Sequence, residues 1–263
     1  MSTLLKFDRL SNTRDLGGMK SEDDRTIASG KLIRSGQLYD ISPSDINKLS
    51  ELIDTVVDFR TEDEKKENPD TDIPGSTYHF IPVVESFSAG VFHEEESNES
   101  IVAKLVFDPE GALKYMCAMY RKFVFSDYSL SQYGKFLKIL LDEHERAVLW
   151  HCSVGKDRAG TAALIIEKIL GIPDEDIIAD FLKTNEYLKN DLMQITAYAK
   201  SKTGSDDPRI DHSMKYLFGT DRAYIETFFK AVDERFGSFE AFVLEGLGLS
   251  DSDMEKLREK YLR

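Results

Sequence analysis

The chain has 263 residues, 41% of them hydrophobic and 31% charged, a balance that excludes disorder over the whole length and supplies the core of a single domain, 1–263. Its 48 acidic residues outnumber 34 basic ones, leaving a formal net charge of -14. No local basic patch relieves that charge, so neither nucleic acid nor a strongly bound anionic membrane surface is an expected partner.

The first eight residues, Met1 to Asp8, lack the apolar core of a signal peptide, and no run is long enough to cross a bilayer. The two cysteines, Cys117 and Cys152, belong to no CxxC, Cys/His metal or disulfide pattern. A cytoplasmic protein without integral membrane association is the expectation, with secretion by a signal-less route as the alternative.

In chain order, short apolar β-branched runs predict strands at 31–35, 55–59, 78–82 and 147–151. Between the first two, Ser42 caps a helix with Pro43 at its first position and Ile46, Leu49, Leu52 and Ile53 along one face. Residues 85–108, with the acidic Glu94-Glu95-Glu96, have no clear period and read as a loop or mobile insertion with a solvated surface. Further helices are predicted at 111–125, 131–143, 160–170, 174–202, 221–236, 239–247 and 251–261, with Gly171-Ile172-Pro173 as a break. The alternation implies an α/β fold with a mostly parallel sheet flanked by helices on both faces. Extra C-terminal helices pack against or fold over that core, and residues 174–236 could form a lid within the domain.

The strand at 147–151 leads into His151-Cys152-Ser153-Val154-Gly155-Lys156-Asp157-Arg158, and a helix follows. Strand, loop and helix start together make an anion trap, because successive N–H groups and the positive end of the helix dipole can address one phosphate. The same field favours a thiolate, which attacks phosphorus and splits a hard hydrolysis into two easier steps. Six positions after Cys152, Arg158 can return a planar guanidinium to two phosphate oxygens. Lys156 adds a mobile second cation, Gly155 permits a turn that a β-carbon would obstruct, and His151 supports the loop by packing and hydrogen bonding. Cys117, among Tyr115, Met116 and Met119, is a core residue.

This loop resembles the His-Cys-x5-Arg loop of the protein tyrosine phosphatase superfamily, and is most similar to bacterial tyrosine/lipid phosphatases whose loop reads Cys-x-x-Gly-Lys-Asp-Arg. Asn12-Thr13-Arg14-Asp15-Leu16-Gly17-Gly18, Leu32-Ile33-Arg34-Ser35-Gly36-Gln37-Leu38, Val56-Val57-Asp58-Phe59-Arg60, Met119-Tyr120-Arg121 and the segment from Phe236 to Leu249 extend the likeness over most of the chain. The resemblance implies the cysteine-phosphatase fold, a nucleophile at Cys152, a phosphate clamp at Arg158, backbone donors from Ser153 to Arg158, and no metal or other cofactor. It also implies a phosphorylated protein or lipid substrate: phosphotyrosine, with phosphoserine, phosphothreonine and phosphoinositides in some relatives. Lys156 and Asp157 match the loop residues associated with that wider range.

The leaving oxygen needs a proton. Two carboxyls are candidates, Asp157 in the loop and Asp58 at the end of a neighbouring strand; the family's loop favours Asp157, with Asp58 assisting. Arg60 either pairs with Asp58 or binds substrate. One position departs from the superfamily pattern. Ala159 stands where a Ser or Thr hydroxyl usually stabilises the departing thiolate, so a catalytically weak phosphate-binding module is the competing reading.

Overall fold

Strands β1 (Thr3–Leu4), β2 (Arg14–Asp15), β3 (Leu32–Ser35), β4 (Ile53–Asp58), β5 (Thr77–Phe80) and β6 (Ala147–His151) form a 6-stranded sheet in the order β1-β2-β3-β6-β4-β5. The computed structural model describes residues 2–85 and 98–263. Strands β3, β6, β4 and β5 run parallel, while β1 and β2 extend one edge in antiparallel sense. The expected α/β fold with a mostly parallel sheet is therefore present. Three of the four expected strands differ from it only at their ends, and β1 and β2, two residues each, carry no alternation long enough to read.

Around the sheet lie α1 (Pro43–Leu52), α2 (Glu62–Glu67), α3 (Asn98–Leu105), α4 (Pro109–Phe125), α5 (Asp127–Leu141), α6 (Arg158–Ile169) and α7 (Asp174–Leu182). These are followed by α8 (Thr184–Tyr187), α9 (Lys189–Thr203), α10 (Pro208–Phe218), α11 (Arg222–Phe236), the short α12 (Phe239–Ala241) with a π-helical turn over Phe242–Gly246, and α13 (Asp251–Tyr261).

The period of two along each strand divides the interior. Ile33, Val56 and Leu149 face a smaller core closed by Leu49 of α1 with Leu38, Ile41 and Ile73. Leu32, Val57, Val148 and Trp150 face the larger core, which collects residues of α4, α5, α6, α11 and α13. Ser35 and Asp58 both stand level with His151 in the parallel register. Three strands thus end together, at the carboxyl edge where open α/β sheets gather their ligands.

Three expectations change. The helix read over 174–202 is three helices; at the first break Arg14 Nη2 donates to the Asp180 carbonyl and to Thr184 Oγ1, both at 3.2 Å, and competes for the carbonyl that would carry α7 onward. Part of the segment read as a loop over 85–108 is α3; its acidic Glu94-Glu95-Glu96 lies outside the described residues. The helix read over 239–247 ends in the π turn, which puts the Leu247 carbonyl against Gly134 of α5. A β-carbon on Gly134 would lie 2.3 Å from that oxygen. Gly134→Ala should therefore destabilise the fold by about 1–3 kcal/mol through overpacking, lowering the thermal midpoint by about 2–4 °C per kcal/mol. Thermal denaturation followed by circular dichroism would show an unchanged midpoint if the helices can part freely.

Candidate active site

The chain leaves β6 at His151 and enters α6 at Arg158, and the carbonyls of the intervening loop are all held from the scaffold side. Gln37 N donates to the Ser153 carbonyl at 3.2 Å. Asn12 Nδ2 donates to Val154 O at 3.1 Å and Gly155 O at 3.0 Å. Arg34 Nη2 donates to Gly155 O at 2.9 Å and Lys156 O at 3.2 Å, and Thr161 N takes Asp157 O at 2.8 Å in the first turn of α6. In a planar trans peptide the C=O and the following N–H point in opposite directions. Pinning these oxygens below therefore turns the N–H groups of residues 154–158 the other way. Gly155 makes the turn possible: its φ is +70°, and a β-carbon there would sit 2.5 Å from the Ser35 carbonyl.

Beneath the loop Arg14 and Arg34 are both buried and share Asp180, with Nε of Arg14 3.2 Å and Nη1 of Arg34 3.6 Å from Asp180 Oδ2. Burial would raise Asp180, but Arg14 and then Arg34 outweigh it and keep the carboxylate charged. The neighbouring Glu167 goes the other way, since burial and then the charge of Asp180 push it well above its ordinary value. Two guanidinium groups thus share one carboxylate beneath the loop.

A cleft of about 370 Å³ opens on the loop's outer side, lined by Cys152, Ser153, Val154, Lys156, Asp157 and Arg158. Its walls are apolar, with Val102 of α3, Met116 and Met119 of α4, Ile195 of α9 and Phe218 of α10 among them. Cys152 is buried at its base.

Arg158 is gripped by a residue that the sequence did not single out. Glu64 accepts from Nη1 at 2.6 Å and Nη2 at 2.8 Å in a bidentate pair, and it also accepts from Ser153 Oγ. Its own position is fixed by the start of α2, where Thr61 N donates to Glu64 Oε2 at 2.8 Å in a capping box. Burial would raise Glu64; the Arg158 bonds and charge, then Ser153, bring it from 4.5 down to about 2. For Arg158, burial is outweighed chiefly by Glu64, so the guanidinium is held still more firmly protonated than usual.

The lysine of the loop is not the mobile cation expected. Lys156 is buried, its Nζ donates to Leu217 O at the end of α10 at 2.8 Å, and it stands 3.5 Å from Asp157 Oδ2. The chain folds α10 back over the loop, a long-range placement with no local sequence signal. Asp157 itself lines the cleft, with Oδ1 accepting from Tyr120 Oη at 2.8 Å.

Asp58 is placed differently from Asp157. It is fully buried beneath the loop, takes both Nε and Nη2 of Arg60, and accepts from Tyr78 Oη at 2.7 Å. Burial would raise it, but His151, then Arg60 and Tyr78, hold it at about 2. Arg60 Nη2 also lies 2.8 Å from Asp70 Oδ2, and His151 Nε2 lies 3.0 Å from the same oxygen in an ion-pair contact poorly aligned for a hydrogen bond. Burial would lower His151, but Asp58 and then Asp70 raise it. Asp58, Asp70 and His151 offer three donor atoms within 4.8 Å of one another. Arg60 already stands among them as a cation, 2.8 Å from both Asp58 Oδ2 and Asp70 Oδ2. Through Nη1 Arg60 reaches Gln37 Oε1 at 3.3 Å, and Gln37 in turn carries the Ser153 carbonyl.

The structure thus gathers Cys152, Ser153, Val154, Lys156, Asp157 and Arg158 at one cleft with Gly155 in the turn, and puts His151, Asp58 and Arg60 behind them. Sequence reasoning missed Asn12, Arg34, Gln37, Glu64, Asp70 and Tyr120. Asn12 and Arg34 sit in segments that carry the family likeness without announcing a role, and the capping box at Thr61 and Glu64 signals a helix end without signalling a site.

A mostly parallel sheet with a loop of outward-turned amide groups at its carboxyl edge suits a protein that handles phosphoryl groups. The chain belongs to the tyrosine phosphatase family, whose profile matches residues 5–263, and it is a phosphatase. A protein of Cupriavidus necator, named provisionally as a tyrosine-protein phosphatase, is 30% identical over 261 residues, covering 98% of this chain and 88% of the relative. The triple specificity protein phosphatase PtpB of Mycobacterium tuberculosis is 23% identical over 155 residues, covering 57% of this chain and 55% of its own. A tyrosine-protein phosphatase of Nostoc commune is 24% identical over 135 residues, 50% of this chain and 44% of the relative.

Glu64→Gln should release the guanidinium of Arg158 and lower kcat/KM by about 10–100-fold, the scale of an ångström-sized misplacement. The depressed carboxyl contributes stability that is complete above 4.5 and lost as the pH falls towards about 2. Midpoints of wild type and variant should therefore differ at pH 7 and converge in acid. A constant difference across that window would contradict the pairing.

Proposed function

We propose that this phosphatase hydrolyses phosphate monoesters, phosphotyrosine foremost, through a phosphocysteine at Cys152. The observation that carries the reading is the orientation of the loop, whose carbonyls are held from below by Gln37, Asn12 and Arg34 while Arg158 is aimed by Glu64.

In the first step the Cys152 thiolate forms the S–P bond as the P–O bond to the leaving group breaks. The N–H groups presented by Ser153 to Arg158 and the Arg158 guanidinium take the charge on the transferring oxygens, which is where preorganised donors act most strongly. Asp157 gives its proton to the leaving oxygen. In the second step the same carboxylate takes a proton from the water that attacks phosphorus, and the thiolate departs. Asp58 is not the acid in this reading, because its carboxylate is sealed among Arg60, Tyr78 and His151. Those residues support the loop's floor.

The apolar cleft walls favour a leaving group with an aromatic or apolar body. Phosphoserine, phosphothreonine and phosphoinositides belong to the wider range, in keeping with the name of the Mycobacterium tuberculosis relative. A phosphoinositide would have to draw Lys156 away from Leu217 O. Within 174–236, residues of α9 and α10 wall the cleft and act as its cover. Both cysteines are free and no described helix is long and apolar enough to cross a membrane; with the -14 charge, a cytoplasmic setting fits best.

Cys152→Ser should abolish turnover of para-nitrophenyl phosphate, and acid quenching of the wild type during turnover should trap phosphate on Cys152. Turnover by the serine variant would overturn the nucleophile assignment. Rates on a phosphotyrosine peptide and on several phosphoinositides then rank the substrates.

One observation favours a weaker enzyme that chiefly binds phosphate. Ala159 is fully buried and brings no hydroxyl to the departing sulfur. Ala159→Thr, with the smaller Ala159→Ser as a control for space, should speed breakdown of the phosphocysteine and raise kcat. An unchanged or lower kcat in both variants, with thermal midpoints preserved, would dismiss the missing hydroxyl as the limit.

A further inference from the structure

We propose that Tyr120 is the positioning residue of the general acid, fixing which oxygen of Asp157 carries the transferable proton. The inference rests on the reading of Asp157 as that acid. Tyr120 lies on α4, outside the loop, and is fully buried. Its hydroxyl donates to Asp157 Oδ1 at 2.8 Å. The ring is held on several sides. It stacks on Tyr224 at 5.3 Å and 27°, and meets the edges of Phe123 at 5.6 Å and Phe181 at 5.9 Å. Tyr224 is itself fixed, donating from its hydroxyl to the Tyr216 carbonyl at 2.8 Å.

A phenol clamped in this way cannot follow a wandering carboxyl; the carboxyl must come to it. Burial, then the charge of Asp157, raise the Tyr120 phenol well above its ordinary value, so it remains a donor throughout the cycle. With Oδ1 accepting from Tyr120, the proton of the acid form resides on Oδ2, the oxygen 3.5 Å from Lys156 Nζ. When the P–O bond breaks, the Oδ2 proton passes to the leaving oxygen and the S–P bond forms. The carboxylate left behind keeps the Tyr120 hydrogen bond at one oxygen and the Lys156 ammonium near the other. That pair of donors stabilises the product form of the acid and holds it aimed for the water of the second step.

Leaving-group sensitivity separates this role from simple packing. A poor leaving group depends on protonation and a good one hardly does, so the comparison is kcat/KM for phenyl phosphate and for para-nitrophenyl phosphate. Tyr120→Phe keeps the ring and removes only the hydroxyl. The expected result is a loss of about 10–100-fold on phenyl phosphate and a much smaller one on para-nitrophenyl phosphate. In the Asp157→Asn background the same substitution should add nothing further, since two groups that act as one unit are not additive.

If Asp157→Asn shows the leaving-group effect and Tyr120→Phe does not, the positioning role is overturned, whatever the thermal midpoint does. An equal loss on both substrates would assign Tyr120 to structure and overturn it as well. If Asp157→Asn itself lacks the effect, the failure belongs to the assignment of the acid.

Discussion

A loop of peptide groups can bind an anion only if its carbonyl oxygens are kept out of the way. Five successive oxygens, from residue 153 to residue 157, must point away from the site together, and nothing within so short a loop can enforce that. The enforcement comes from outside, through the side chains of Asn12 and Arg34, the N–H of Gln37 and the first turn of α6. Arg34 is well suited to the task because one nitrogen, Nη2, serves two adjacent carbonyls while Nη1 of the same guanidinium is left to face Asp180. It shares Asp180 with Arg14.

Around this constraint the ionisable groups sort themselves by depth. Asp58, Asp70, Arg60 and His151 form a sealed cluster behind the loop, and Arg14, Arg34 and Asp180 form another beneath it. Both clusters pair opposite charges at low exposure, where removing one partner would leave a costly uncompensated charge. Asp157 and Arg158 line the cleft together with Lys156 and Glu64, Tyr120 holding Asp157 and Glu64 holding Arg158. Behind the loop the charges fix position, and within the cleft they are available for chemistry.

Much of this was legible in the sequence because the relevant signals are local. The strand at 147–151, the eight-residue loop and the helix after it follow one another directly, and their residue types state the chemistry. The strands at 31–35 and 55–59 were legible from their apolar runs, and Ser42 with Pro43 marked α1. Other elements gave weaker signals. Helix α2 buries none of its residues, so no period marks it. Helix α10 has Asp207 and Pro208 at its start and buries Ile210, Ser213, Met214 and Leu217, a readable pattern that the reading passed over. The first break in the helix expected over 174–202 is met by Arg14, some 166 residues earlier in the chain. The supports of the loop were hidden for the same reason: Asn12 reaches across 143 positions to Gly155 and Arg34 across 121. The immobilised Lys156 could not be foreseen either, since its partner is a backbone carbonyl on α10.

Glu64 performs two tasks with one carboxylate. It closes the first turn of α2 through Thr61 and, from the same two oxygens, grips Arg158. Fraying of a short surface helix and misdirection of the Arg158 guanidinium, the proposed phosphate clamp, are consequently one event. A chain that drifted towards a looser helix end would forfeit its catalyst in the same step, so this stretch has no freedom to evolve as ordinary surface, however exposed the rest of α2 is.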